Sequence, residues 1–106
     1  MVRYEIRFAE CVREQMEFLT AAEHSVLLKA IRKQLAHQPL VETRNRKPLR
    51  PNPIAPWELR VGPLRAFYEV RPRDQELEGS TDVVYVLSVG KKERNVLRIA
   101  GEVVEI

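Results

Sequence analysis

The stretch that decides the fold reads Trp57-Glu-Leu-Arg-Val-Gly-Pro-Leu-Arg-Ala-Phe-Tyr-Glu-Val70. Apolar and charged residues alternate with a period of two on both sides of the Gly62-Pro63 dipeptide, which is typical of half-buried β-strands. A Gly-Pro dipeptide does not continue a strand, and a connection this short predicts an antiparallel hairpin. The sequence therefore predicts a pair of neighbouring strands at the centre of the chain.

The charged residues of this hairpin share one predicted face. Arg60 and Arg65 should lie near each other there, beside Glu58. Two guanidinium groups held on a sheet face present a fork of donors that suits phosphate, which makes this face a candidate anion site. The hairpin alone also allows a second interpretation, an Arg–Glu surface network that only solvates the face.

Length and composition describe one soluble globular domain. The chain has 106 residues, of which 44% are hydrophobic and 31% charged, and this length is sufficient for a single modest core. No apolar run approaches the roughly 20 residues of a membrane span, and the first residues alternate like a strand instead of forming a signal peptide. The single cysteine, Cys11, excludes an internal disulfide and fits a reducing compartment. We therefore expect cytoplasmic localisation and no membrane partner.

The net charge of +3 is unevenly distributed along the chain. Residues 44–73 contain eight Lys or Arg against two Glu, a net charge of +6, whereas residues 74–106 carry a net charge of −3. Positive charge focused around the hairpin favours a polyanionic partner, nucleic acid before membrane. Part of this charge lies in the proline-rich residues 38–56, which we expect to cross the sheet as an irregular, extended segment. The alternative is a basic connector that only spans from helix to sheet.

The sequence predicts a strand and two helices before this segment. Residues 2–8 alternate as a strand whose apolar face, including Phe8, should be buried, and the apolar spacing becomes helical from Ala9. Thr20-Ala-Ala-Glu23 is a capping-box pattern that begins the second helix. Pro39 is predicted to stop this helix.

The last third of the chain is predicted to complete the sheet. Residues 71–82 are polar and indicate an exposed turn, and residues 83–89 form a nearly continuous apolar run that predicts a central strand ending at Gly90. The residues from Val96 onward allow either a closing β-hairpin or a short helix. The expected fold is a two-layer α+β domain, with an N-terminal strand and an α-hairpin packed on a mainly antiparallel four-stranded sheet. The opposite face is left for the two arginines and the basic segment.

This order of elements and four short motifs resemble the RelE/ParE superfamily, the toxins of bacterial toxin–antitoxin pairs. The motifs are Lys47-Pro-Leu-Arg50, Trp57-Glu-Leu-Arg-Val-Gly62, Leu64-Arg-Ala-Phe-Tyr-Glu-Val70 and Val86-Leu-Ser-Val-Gly-Lys-Lys-Glu-Arg94. The resemblance covers nearly the whole chain and implies a RelE-like fold. Many members are ribosome-dependent endoribonucleases that cut messenger RNA, and others inhibit DNA gyrase without being nucleases.

The resemblance also implies which residues form the site. By position, Arg65 matches the arginine that contacts the scissile phosphate, Arg60 matches a basic strand residue, and Lys92 matches a residue that stabilises the transition state. In this chemistry a ribose 2′-hydroxyl attacks the adjacent phosphate without a metal or cofactor. Glu58 stands where the ribosome-dependent cutters commonly carry a lysine, and is a candidate base. Arg98 stands where they often carry a tyrosine.

Further basic residues are predicted to contact nucleic acid: Arg44, Arg46, Lys47, Arg50, Lys91, Arg94 and Arg98. The family implies a cognate antitoxin, expected to be short, acidic and partly disordered. Two functions stay open from the sequence. One is a toxin ribonuclease that acts on messenger RNA at the ribosome, and the other is a non-enzymatic module of the same fold that binds gyrase, nucleic acid or only its antitoxin.

Overall fold

The computed structural model describes residues 4–72 and 82–106. Most of the predicted turn at residues 71–82 lies outside these residues, as does Val2 of the first predicted strand. The described part contains two helices, α1 (Glu10–Met16) and α2 (Ala21–Leu35). The strands are β1 (Glu5–Phe8), β2 (Arg46–Pro48), β3 (Trp57–Val61), β4 (Leu64–Arg71), β5 (Val83–Glu93), β6 (Val96–Ile99) and β7 (Glu102–Val103).

The described strands form one sheet. Its hydrogen-bonded order is β2-β3-β4-β5-β6-β7 with antiparallel neighbours, and β1 pairs in parallel with the first part of β5. The predicted α+β fold with a mainly antiparallel sheet is therefore confirmed. Three predictions about strands are wrong. The described residues form a sheet of seven strands and not four, because short strands are added at its edges. β5 continues through Gly90 to Glu93 because its second part pairs with β6, and the segment 38–56 contributes the short strand β2. The open choice at the C-terminal end is settled in favour of strands.

The capping box predicted at the start of α2 is confirmed. The Glu23 N–H donates to Thr20 Oγ1 at 3.1 Å, and the Thr20 N–H donates to Glu23 Oε1 at 3.0 Å. The helix ends at Leu35, before Pro39 is reached. The carbonyl of Pro39 accepts a hydrogen bond at 2.5 Å from the Tyr68 hydroxyl, which ties the segment after α2 to β4.

The two helices cover one face of the sheet, as the apolar spacing predicted. The core on this side consists of side chains no more than 5% exposed: Val12, Met16, Leu27, Ile31, Leu35, Leu59, Leu64, Ala66, Tyr68, Val84, Val86 and Val89. Tyr4 and Ile6 of the first strand pack against this core. The prediction that Phe8 is buried with them is wrong, because β1 ends at the rim of a groove beside the helices and Phe8 is 41% exposed.

The opposite face carries a second, smaller apolar cluster. Phe67 is fully buried there, and Ala55, Leu97 and Ile99 pack around it. The proline-rich segment and β6 thus cover this half of the face. The sequence left this face for the two arginines and the basic segment. The segment does cover part of it, and β6 covers it as well, because burying a large apolar side chain such as Phe67 is strongly favourable.

Helix α1 is hydrogen-bonded to a β-bulge in the central strand. The register of β4 against β5 shifts by one residue and leaves Leu87 without a partner across the sheet. The Cys11 thiol donates to the Leu87 carbonyl at 3.2 Å. The Gln15 side-chain oxygen accepts from the Val89 N–H at 2.8 Å and from the Ser88 hydroxyl at 3.2 Å. Cys11 and Gln15, four residues apart on one helix face, therefore bond to the part of β5 beyond Val86, where its pairing with β1 has ended.

This contact predicts a stability effect for Gln15→Ala. The variant leaves the N–H of fully buried Val89 without its acceptor, so we expect the free energy of unfolding to fall by about 1–3 kcal/mol. Glu14→Ala, at an exposed neighbouring position of the same helix, is the control and should change it by less than about 0.5 kcal/mol. Urea unfolding measures both, and equal stability of the two variants would contradict the role of Gln15.

Candidate functional site

The β3–β4 hairpin places its two arginines side by side. Arg60 and Arg65 are direct partners in the strand register. Gly62 has a φ of 58°, in the left-handed region that glycine tolerates. Pro63 follows with the negative φ that its ring imposes, which is the pattern of a type II′ turn. This tight turn fixes the register and with it the spacing of the two guanidinium groups.

Glu58 is the carboxylate that holds these arginines. Its side chain is 9% exposed. Arg60 Nε donates to Glu58 Oε2 at 3.3 Å, and Arg65 Nε lies 3.0 Å from Glu58 Oε1. The second contact is an ion pair whose N–H is not aligned for a hydrogen bond. Because each carboxylate oxygen faces one guanidinium, Glu58 sets the distance between the two arginines.

The two arginines differ in how much of the side chain is free. Arg65 is 13% exposed, and its Nη1 donates to the carbonyls of Gly62 at 2.6 Å and Leu64 at 2.9 Å. Burial lowers the pKa of Arg65, opposed by Glu58 and reinforced by Arg60, but an arginine stays protonated at neutral pH. Arg60 is 47% exposed. Arg65 therefore supports the turn, and Arg60 offers its donors to a ligand.

Lys92 lies in the same groove as these hairpin residues. Its N–H donates to the Pro63 carbonyl at 2.7 Å, which ties β5 to the hairpin turn, and its side chain is exposed. The groove has a volume of about 450 Å³ and is lined by Leu49, Glu58, Arg60, Lys92, Asn95, Leu97, Val104, Glu105 and Ile106. Arg65 is connected to this groove through its ion pair with Glu58. The structure thus brings together all four residues predicted for the centre of the site.

Gly90 allows this side of the groove to form. A Cβ at this position would lie 2.5 Å from the Arg98 carbonyl oxygen and 2.9 Å from Ile99 Cγ1. Only glycine therefore permits β6 to approach β5 so closely. With β6 in this place, Leu97 lies directly across from Lys92 and contributes to the groove lining.

Lys91 and Arg98 lie on the helix side of the sheet. They are partners in the β5–β6 register one residue from Lys92, so strand alternation turns their side chains to the other face. Lys91 Nζ is 2.6 Å from the Glu23 carboxylate. Lys91 and Arg98 line a small hollow beside α1. Neither lines the groove with Arg60. Their predicted contact with the nucleic acid in that groove is therefore not supported by the geometry.

The Lys91–Glu23 ion pair predicts a pH-dependent contribution to stability. Hydrogen bonds from Lys91 and then from the Thr20 N–H lower the pKa of Glu23 below its ordinary value of 4.5. A lowered folded-state pKa gives stability that is complete above the unfolded pKa and is lost as pH falls through the folded one. Glu23→Gln keeps the capping geometry and removes the charge. The stability difference between wild type and Glu23→Gln should be constant above about pH 5.5 and shrink below about pH 4.5. Urea unfolding at each pH measures it, and a difference unaffected by pH would refute the assignment.

Arg46 is a structural residue. It is 7% exposed, its Nε donates to the Val41 carbonyl at 3.0 Å, and its Nη1 donates to the Gln34 carbonyl at 2.8 Å and to Gln34 Oε1 at 3.2 Å. It thereby satisfies a carbonyl in the last turn of α2, where helices lack intrahelical donors. The geometry does not support the predicted nucleic-acid contact of Arg46, because its Nε and Nη1 donors are used inside the protein.

The remaining basic residues predicted to contact nucleic acid are not buried: Arg44, Lys47, Arg50 and Arg94. Lys47 lies directly across from Glu58 in the β2–β3 register. Arg94 forms the two-residue β5–β6 turn with Asn95, both at positive φ, and Asn95 lines the groove. Lys47 and Arg94 are therefore neighbours of groove residues, and the contacts of all four stay predictions.

Residues 104–106, here called the closing segment, are the part of the groove that sequence analysis missed. The Val104 N–H donates to the Leu97 carbonyl at 2.9 Å, and Val104 packs in the apolar cluster around Phe67. The alternation of Leu97 and Ile99 is the signal that could have indicated a buried strand face here. No local pattern indicated which segment would pack on that face.

A larger groove, of about 620 Å³, lies between the end of β1 and the two helices. Its lining is mainly apolar, so it is less suited to an anion than the groove of Arg60 and Lys92. Within the described ranges no group of three or more His, Cys, Asp or Glu is placed to hold a metal ion. Neither of the helices described is long and apolar enough to cross a membrane.

Comparison with known proteins finds a solved structure of similar fold. A chain in the crystal structure of the toxin–antitoxin complex RelBE2 from Mycobacterium tuberculosis matches with a TM-score of 0.65 and 26% sequence identity. The match covers 87% of this chain and 94% of that chain. No protein-family model matches the chain, and no curated protein matches it significantly. The structural match confirms the resemblance indicated by the sequence motifs and supports a RelE/ParE-type toxin.

Proposed function

We propose that this chain is the toxin of a type II toxin–antitoxin pair and a metal-independent, ribosome-associated endoribonuclease of messenger RNA. The observation that carries the proposal is the convergence of Arg60 and Lys92 in one groove, with Arg65 ion-paired behind Glu58. Exposed cations on β3 and β5, the strands on either side of β4, suit a phosphodiester, since each can donate a charge-assisted hydrogen bond to a phosphoryl oxygen. The match to a chain of a toxin–antitoxin complex supports the toxin role.

In the proposed reaction the RNA 2′-hydroxyl attacks the neighbouring phosphorus. The O2′–P bond forms and the P–O5′ bond breaks. The hydroxyl proton passes to a base, and the O5′ leaving group takes up a proton. Arg60 and Lys92 stabilise the negative charge that develops on the phosphoryl oxygens, because fixed cations stabilise a transition state more than the ground state from which it forms.

Glu58 acts first as a positioning residue in this proposal. Its two oxygens each face the Nε of an arginine, so Glu58, held by Arg65, fixes where Arg60 meets the phosphate. Both carboxylate oxygens are engaged in ion pairs, so a role as base requires that one of them is released. A phosphate bound to Arg60 would release Glu58 Oε2, which leaves Glu58 as the candidate base once substrate is present.

The proposed partner is a cognate antitoxin. The solved neighbour is a toxin–antitoxin complex, and the basic groove of this chain favours an acidic, partly disordered segment that folds on binding. Expression without the antitoxin is expected to arrest growth. Normal growth with abundant folded protein would count against a toxin.

Gyrase inhibition without RNA cleavage is the second candidate function. It is favoured by the two departures from the ribosome-dependent cutters, which commonly carry a lysine at the position of Glu58 and often a tyrosine at that of Arg98. The lysine position holds a buried carboxylate, and Arg98 lies on the helix side of the sheet, outside the groove lining. Phosphate binding thus has more support than a complete set of proton-transfer groups.

Cell-free translation of a defined messenger RNA tests the proposal. Purified protein is expected to add new 5′ ends within the translated frame, mapped by primer extension, and to add none when initiation is blocked. A gyrase supercoiling assay runs in parallel. Inhibited supercoiling without any new 5′ ends would contradict RNA cleavage and favour gyrase inhibition as the function.

A further inference from the structure

The closing segment contributes a second carboxylate to the groove. The hydrogen bond from Val104 to Leu97 and the packing of Val104 beside Phe67 fix this segment on the same sheet face as Lys92. Glu105 follows directly and lines the groove with Arg60 and Lys92.

The two carboxylates in the groove differ in their surroundings. Glu58 is buried, and each of its oxygens faces a guanidinium. Glu105 is exposed, and none of the described residues forms an ion pair or a hydrogen bond with its carboxylate. The negative charge of Glu105 is therefore not neutralised at short range. It repels an anion that binds between Arg60 and Lys92.

We propose that Glu105 is a specificity-determining residue, which shifts the preference of the groove away from a terminal phosphomonoester and toward the phosphodiester of an internal RNA link. This inference rests on the proposed phosphate site. The repulsion from one carboxylate scales with the charge of the ligand. A phosphodiester carries one negative charge, whereas a phosphomonoester, with a second pKa near 6, carries almost two at about pH 8. Glu105 thus penalises phosphorylated RNA ends about twice as strongly, in free energy, as intact links.

The experiment compares two small probes, a dinucleoside monophosphate and a nucleoside 3′-phosphate. Each is titrated at about pH 8 and low salt, with binding followed by the amide NMR signals of residues 90–92. A unit charge about 6 Å away through a water-like dielectric changes affinity about threefold for a monoanion and about ninefold for a dianion. Glu105→Gln should therefore strengthen diester binding about threefold and monoester binding about ninefold.

Glu102→Gln is the matched control, since Glu102 is exposed on β7 and does not line the groove. It should leave both affinities unchanged. Equal gains for the two probes in Glu105→Gln, or no gain, would overturn the inference. Slower RNA cleavage with unchanged affinities would overturn it as well, since Glu105 would then act as a base.

Arg60→Ala separates the two proposals. If Arg60→Ala leaves both affinities intact, the phosphate site fails. If it weakens both while Glu105→Gln shows no selective gain, only the role of Glu105 fails.

Discussion

Arg60→Ala should slow messenger RNA cleavage by about 10²–10³-fold, the usual loss when one preorganised transition-state donor is removed. The side chain is 47% exposed, and its one described side-chain contact is the ion pair with Glu58. The fold should therefore tolerate the change, with a loss of less than about 1 kcal/mol in stability. Rates of cleavage in cell-free translation measure the first effect, and urea unfolding measures the second.

Arg32→Ala is the matched control for this variant. Arg32 is exposed on α2 and does not line the groove, so its substitution removes the same charge far from the proposed site. A general effect of net charge would slow cleavage by both variants alike. Equal cleavage rates for Arg60→Ala and Arg32→Ala would remove Arg60 from the site.

Arg46→Ala is expected to lower the free energy of unfolding by about 2–4 kcal/mol. Hydrogen bonds from charged donors contribute about 1.5–3 kcal/mol each, and the variant leaves the Val41 and Gln34 carbonyls without the donors that join β2 to α2. Arg46→Lys should recover only part of the loss, because an ammonium does not reproduce the planar fork. Urea unfolding measures these values with Arg44→Ala as reference. An Arg46→Ala protein as stable as Arg44→Ala would show that Arg46 is not an anchor.

The sequence predicted those parts of the fold that depend on local spacing. The alternation around Gly62-Pro63 gave the register that pairs Arg60 with Arg65, because side chains on a strand change face at each residue. The pattern from Thr20 to Glu23 placed the start of α2 at its observed position. In both cases neighbours along the chain determine the structure.

The parts that depend on distant contacts could not be predicted in this way. In the sequence Arg46 is one of several cations in a basic segment. Only the approach of β2 to the end of α2 allows its guanidinium to join these two elements. Gly90 reads as a strand end, whereas its missing side chain makes room for β6. The sequence gives no signal for Gln15, because only the packing of α1 on β5 supplies its side-chain oxygen with a donor.

The sequence predicted the central residues of the candidate site but not the wall formed by the closing segment. The arginines, Glu58 and Lys92 come from the hairpin and from family motifs, and the structure places them together. The wall formed by the closing segment depends on two successive turns, at Arg94-Asn95 and Ala100-Gly101, all with positive φ. Three of these four residues are not glycine, so composition did not mark the turns.

Phosphate contact in the groove is tested most directly by the salt dependence of RNA binding. Affinity for a short single-stranded RNA with 2′-O-methyl groups, which block attack, is measured by fluorescence anisotropy at several salt concentrations. The slope of log affinity against log salt should become shallower by about 0.7 for each lost phosphate contact. Lys92→Ala should flatten the slope by this amount. Lys91→Ala should not, because the neighbouring lysine faces the helices. Identical slopes for the two lysine variants would contradict phosphate binding in this groove.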